Sequence, residues 1–130
     1  MALCTQAGPN QHSLRLYDVH RRHPIAISTL DLVTFPERPA DVNFEGEVNV
    51  ATFSPDGMYL ALARNDNHTH VYDRRMLARG PMFDYEHFGE RQVASQSDSY
   101  GVVNAQWIQS SLTRRMVLVT GGEDGTLISF

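Results

Sequence analysis

The chain has one cysteine, Cys4, so no intrachain disulfide can form. That suits a reducing compartment, and an intracellular location, cytoplasmic or nuclear, is expected. Cys4 itself fits a core position. No apolar run approaches the ~18 residues that a membrane span needs. Met1 to Gly8 lacks both the basic start and the apolar core of a secretory leader. Positive charge is also scarce: 11 basic against 15 acidic side chains give a net charge of −4, the wrong sign for a nucleic-acid footprint. GxSxG, HExxH, a phosphate-binding glycine loop and a nucleotide-binding fingerprint are all missing. Gly121-Gly122 runs into Glu123-Asp124-Gly125 and belongs to a strand-to-turn transition. A non-catalytic chain without cofactor is therefore expected, with neither nucleic acid nor membrane as partner.

What is present is a globular composition, 42% hydrophobic and 20% charged over 130 residues, enough for one ordinary domain. Glu47 to Asp73 carries the clearest pattern. Val48 to Phe53 is strand-like, Ser54-Pro55-Asp56-Gly57 forms a turn, Met58 to Ala63 is apolar, Asn65-Asp66-Asn67 turns again, and a short run closes on Tyr72-Asp73. Pro55 pre-sets φ, Ser54 can bond back to its own turn, and Gly57 tolerates a positive φ. Asn67 stands where the second turn wants a left-handed residue. Three antiparallel strands in succession are expected.

The order recurs. Val102 to Trp107, Met116 to Thr120, the turn Glu123-Asp124-Gly125 and Thr126 to Phe130 repeat it, with Asp66 over Asp124 and Asn67 over Gly125. Ser13 to Asp18 matches His68 to Asp73. A strand ending in phenylalanine, SPDG, an apolar strand, an Asp-centred turn and an aromatic-Asp close together resemble a WD repeat. The resemblance covers most of the chain and implies an all-β, partial WD-repeat β-propeller of antiparallel four-stranded blades, incomplete at both ends. A blade takes roughly 40 to 45 residues and a ring 4 to 8 blades, so the chain is expected to be a fragment spanning 1–130. A first blade remnant falls at 1–33, with Gln6 to His12 as a long turn and Pro24 to Leu30 as its outer strand. A second blade falls at 47–87, with Met82 to His87 outermost, and a third remnant at 100–130. Loops occupy 34–46 and 88–99.

The resemblance also implies roles. In many WD repeats an Asp at the place of Asp66 or Asp124 joins a His, a Ser or Thr and a Trp in a buried hydrogen-bond network. Here the second copy has Leu62 and Tyr72 at two of those places and no His near Phe44, while the third keeps Thr120 and Asp124 but ends in Phe130. Protein contacts are expected at rim loops and narrow-face turns, including Asp66, Asn67, Asp124 and Gly125. Arg21-Arg22, Arg74-Arg75 and Arg114-Arg115 follow strands or sit in loops as solvated charges. Tyr72-Asp73-Arg74-Arg75 resembles the ending by which substrate receptors of cullin-RING ubiquitin ligases dock on an adaptor, with Tyr for Trp. The leading function is thus a protein-interaction scaffold, with that receptor role as an alternative through Tyr72, Asp73 and Arg75. The remaining enzymatic alternative is a metal-dependent one using His68 and His70, which project from one strand face. A third ligand would come from His12, His20, His23 or His87.

Met58 to Ala63 and Met116 to Val119 are almost continuously apolar, the mark of strands buried on both faces. A fragment leaves outer blade faces uncovered, at ~25 cal/mol per Å² of apolar surface. The isolated 130 residues are expected to associate or to be poorly soluble. Light scattering after size exclusion checks this, and a monodisperse, cooperatively melting monomer contradicts it.

Overall fold

The computed structural model describes residues 1–8, 11–20, 22, 26–32, 48–87, 101–122 and 127–129, with backbone alone at 2–8, 11, 12, 26–32, 127 and 128. The loops expected at 34–46 and 88–99, the turn residues Asp124 and Gly125, and Phe130 lie outside them. The architecture is mostly β, and among the described residues every strand pairing is antiparallel. No helix among the described residues is long and apolar enough to cross a membrane. The chain divides into two compact units, Met1–Glu47 and Val48–Phe130.

In the first unit β1 (Ala2–Gly8), β2 (Gln11–Tyr17) and β3 (Ala26–Leu32) form a meander in that order. Along β2, Leu14 and Leu16 are buried while Arg15 between them is exposed, the period-2 pattern of a strand with one covered face. The long turn expected from Gln6 to His12 is not there. Gln6 pairs with His12 and Gly8 with Gln11, across a bulge between Gln6 and Gly8. Continuing the ladder satisfies backbone amides that a loop would leave to water, and the bulge takes up the odd residue. Met1 and Tyr17 close the far end, each backbone nitrogen donating to the other's carbonyl at 2.8–2.9 Å.

The second unit opens with a four-stranded meander, β4 (Val48–Phe53), β5 (Tyr59–Arg64), β6 (His68–Asp73) and β7 (Phe83–Glu86). The β4–β5 turn forms as its residues dictate. Ser54 donates to Asp56 Oδ1 at 2.6 Å and accepts the Tyr59 amide at 2.9 Å, Gly57 donates to the Ser54 carbonyl at 2.8 Å, and Asp56 takes the Met58 amide at 3.0 Å. These bonds, the Ser54 hydroxyl first, hold the Asp56 carboxyl below its ordinary range. Gly57 has φ 69° and Asn67 φ 68°, both left-handed as the turn types require. β5 runs one residue further than the apolar stretch suggested, ending on a buried arginine, Arg64. A single 3₁₀ turn, Leu77–Arg79, anchored by buried Leu77, leads into β7.

The third meander, β8 (Val102–Gln109), β9 (Met116–Gly122) and β10 (Leu127–Ser129), repeats the strand order. β8 lies against β4 and β5. Ala61, Ala63 and Val71 pack on Val102, Ala105 and Leu118, flanked by Val50, Tyr59, Tyr85 and Trp107. The small residues on β5 let the sheets approach, and leucines 60 and 62, fully buried, occupy the strand's opposite face. Polar ties also cross between the sheets: Asn49 Nδ2 donates to the Val102 carbonyl at 3.0 Å and Trp107 Nε1 to the Thr52 carbonyl at 3.3 Å.

Gly101 sets where β8 begins. Its φ is +62°, and a Cβ there would sit 2.4 Å from the carbonyl carbon and oxygen of Asn65. Gly57 has a similar φ but open space around it. Replacing Gly57 with Ala therefore incurs only the left-handed backbone penalty, about 1 kcal/mol. Gly101→Ala adds a clash with immovable backbone, for a total of about 3 kcal/mol or more. Urea denaturation of the two variants measures the difference, and equal losses would contradict the close approach.

Candidate functional site

Strand alternation sends His68, His70 and Tyr72 to one face of β6, and Thr69, Val71 and Asp73 to the other. The β6–β7 register then pairs His70 with Asp84 and His68 with Glu86, which puts both acidic side chains on the histidine face. His68 Nδ1 lies 2.7 Å from Asp84 Oδ1, and His70 Nε2 lies 3.4 Å from the same oxygen. His70 Nδ1 meets the Tyr72 hydroxyl at 3.3 Å. One donor atom from each of His68, His70 and Asp84 falls within 4.8 Å of the others. The cluster grades outward: His70 is buried, with 2% of its side chain exposed, against 19% for His68 and 39% for Asp84.

Beside the cluster lies a buried ion pair. Arg64 Nε and Nη2 donate to the two carboxylate oxygens of Asp66 at 3.2 and 2.8 Å, a fork that suits a guanidinium and not an ammonium. All eleven basic residues of the chain are arginines. Asp66 also takes the His68 amide at 3.3 Å, which ties the pair to the turn that starts β6. Burial, reinforced by the Arg64 charge and opposed by Asp84 and Asp66, pushes the His70 imidazole down to about 4, so it is neutral at pH 7. Burial pushes the Tyr72 hydroxyl up to about 12, with Arg64 acting against it. A neutral imidazole and a protonated phenol are both available as hydrogen-bonding partners.

The residues expected to bind proteins separate by exposure. Asp66, Tyr72 and Asp73 are buried and offer no surface of their own. Asn67 is half-buried at its turn, where its carbonyl accepts the His87 amide at 2.9 Å. Arg75 is 61% exposed and folds back so that Nε and Nη2 reach Asp73 at 3.2 and 3.1 Å. That fork, with the Arg75 amide on Asp73 Oδ1, lowers the Asp73 carboxyl below its usual range.

Two contributors were not anticipated, and a third residue takes a different partner from the one expected. Asp84 sits sixteen residues from His68, and only the β6–β7 register brings it there. Arg64 is the side chain that pairs with both carboxylate oxygens of Asp66. His87, weighed as a metal ligand, instead shares a 2.7 Å hydrogen bond between Nε2 and Thr120 Oγ1. This bond joins a His to the threonine place of the third copy, although nothing local to either residue in sequence signalled it. A separate groove of about 230 Å³, lined by Tyr59, Phe83, Tyr85, Trp107 and Met116 among others, opens between the two sheets of this unit. Tyr59 stacks on Trp107 there, with ring centroids 6.3 Å apart.

Removing Asp66 leaves a buried guanidinium without its carboxylate, and Asp66→Ala should cost about 3 to 5 kcal/mol in chemical denaturation. The pH dependence has a definite sign. His70 is near 6.5 when unfolded and about 4 when folded, so between those values the unfolded chain binds more protons and stability falls as pH falls. In chelating buffer, melting temperature should drop from pH 6.5 to 4, and His70→Phe should flatten that slope. An unchanged slope would assign the acid sensitivity elsewhere. No protein-family model matches this chain, and no curated protein matches it.

Proposed function

We propose that the chain is a segment of a WD-repeat-like β-propeller that acts as a non-catalytic protein-interaction scaffold. The supporting observation is that two antiparallel meanders of the same strand order pack face to face, with β8 against β4 and β5. The His87–Thr120 bond between the end of one meander and the second strand of the next supports it further, since the resemblance implies a His and a Thr in one buried network. A stack of this kind presents its turns and rims as a rigid surface, and such surfaces serve recognition more often than chemistry. Among the described residues, the proposed binding residues that reach solvent are Asn67 and Arg75.

A second reading is favoured by the 61% exposure of Arg75 at the end of β6. In it the Tyr72-Asp73-Arg74-Arg75 segment docks on a cullin-RING ligase adaptor, with Asp73 holding the guanidinium in position. Affinity capture with the wild-type chain, Asn67→Asp and Arg75→Ala tests both, with circular dichroism confirming an unchanged fold. The scaffold reading expects a defined protein bound by wild type and lost with at least one substitution. The receptor reading expects that protein to be a ligase adaptor, with binding reduced at least tenfold by Arg75→Ala. Capture insensitive to both substitutions would remove the proposed surface.

A further inference from the structure

We propose that His68, His70 and Asp84 form a binding site for a zinc-class divalent cation on the outer half of the β6–β7 ladder. Two imidazole nitrogens and one carboxylate oxygen already converge within 4.8 Å of one another, and they do so on regular strands. The donor set selects the ion class. Imidazole with carboxylate suits zinc and its first-row neighbours, whereas calcium and magnesium take oxygen ligands.

One donor pair already stands at the spacing of that class. Zinc lies ~2.0–2.2 Å from nitrogen and oxygen ligands, so adjacent donors in a tetrahedral shell stand about 3.4 Å apart. His70 Nε2 and Asp84 Oδ1 are separated by 3.4 Å. His68 Nδ1 and Asp84 Oδ1, at 2.7 Å, are at hydrogen-bond distance; loss of the shared proton lets them open by about 0.7 Å to reach the same spacing. Asp84 is free to make that adjustment because it stands on β7, a four-residue strand at the sheet's edge, with 39% of its side chain exposed. The exposure of Asp84 and His68 gives the ion an entry path and leaves a fourth position for water.

The residues behind the ligands fit as well. When Nε2 of His70 binds an ion, its ring proton moves to Nδ1, which then donates to the Tyr72 hydroxyl 3.3 Å away. Metal-bound histidines are commonly oriented by such a hydrogen bond from the other ring nitrogen. The ion would clip the edge strand β7 to β6, adding to the four ladder pairs between these strands.

The full 130-residue chain, stripped with a chelator, is titrated with cobalt(II) followed by its visible spectrum, and with zinc by calorimetry. One ion per chain is expected, with zinc displacing cobalt and raising the melting temperature. Asp84→Asn keeps the side-chain shape and His68→Ala changes a half-buried group, so both leave the metal-free fold in place. Each should weaken zinc binding at least tenfold, while His20→Ala, in an exposed turn, leaves it unchanged. Nitrogen NMR of the ring should show the His70 proton on Nδ1 in the zinc form. Absence of stoichiometric binding, or equal zinc affinity in wild type, Asp84→Asn and His68→Ala, would overturn the site and leave the trio as a hydrogen-bonded ladder contact.

Discussion

The second unit depends on the contact between the inner face of its four-stranded sheet and the face of β8 and β9. Ala61, Ala63 and Val71 form one side, Val102, Ala105 and Leu118 the other. Short side chains on β5 draw the sheets together, and the close approach is what makes Gly101 obligatory beside the Asn65 carbonyl. Apolar burial drives the contact without directing it. Direction comes from Asn49, Trp107 and His87, whose hydrogen bonds to Val102, Thr52 and Thr120 set one sheet at a defined position on the other.

That packing has a consequence for the opposite face of β6. Because Thr69 and Val71 face the core, His68, His70 and Tyr72 must face away from it, with Leu60 and Leu62 of the neighbouring strand alongside. The polar groups on this face are therefore organised as a linked set. Arg64 is neutralised by Asp66, Asp66 also holds the turn before His68, and Asp84 approaches both histidines. The buried charge of Arg64 is paired with Asp66, and the equally buried His70 is held neutral. A buried group that must be either uncharged or paired explains both features.

The two arginine forks differ in setting and hence in role. Arg64–Asp66 is enclosed and serves the fold, since neither charge can be released without the other. Arg75–Asp73 sits at a strand end with its guanidinium in solvent, where an ion pair contributes little to stability but holds a cation in a defined direction. The same local pattern, arginine and aspartate two residues apart, thus gives a structural pair in one place and a presentable charge in the other.

The strands of the second unit and its turns at 54–57 and 65–67 were legible because their causes are local. Pro55, Gly57 and Asn67 specify backbone angles themselves, and the double-faced apolar run of β5 announced burial on both sides. The histidine pair on one face of β6 followed from strand alternation alone. What tertiary structure decided was every partner at long sequence distance. Asp84 reaches His68 through the β6–β7 register, His87 reaches Thr120 across thirty-three residues, and Arg64, which resembles an ordinary strand-end charge, becomes a buried partner of Asp66. The tight closure of β1 on β2 belongs with these, because a bulge in the ladder outweighed the loop suggested by Gln6 to His12. Local backbone preference is written into each residue, whereas register and sheet stacking come from the summed burial of many side chains, and only that sum determines which distant polar groups meet.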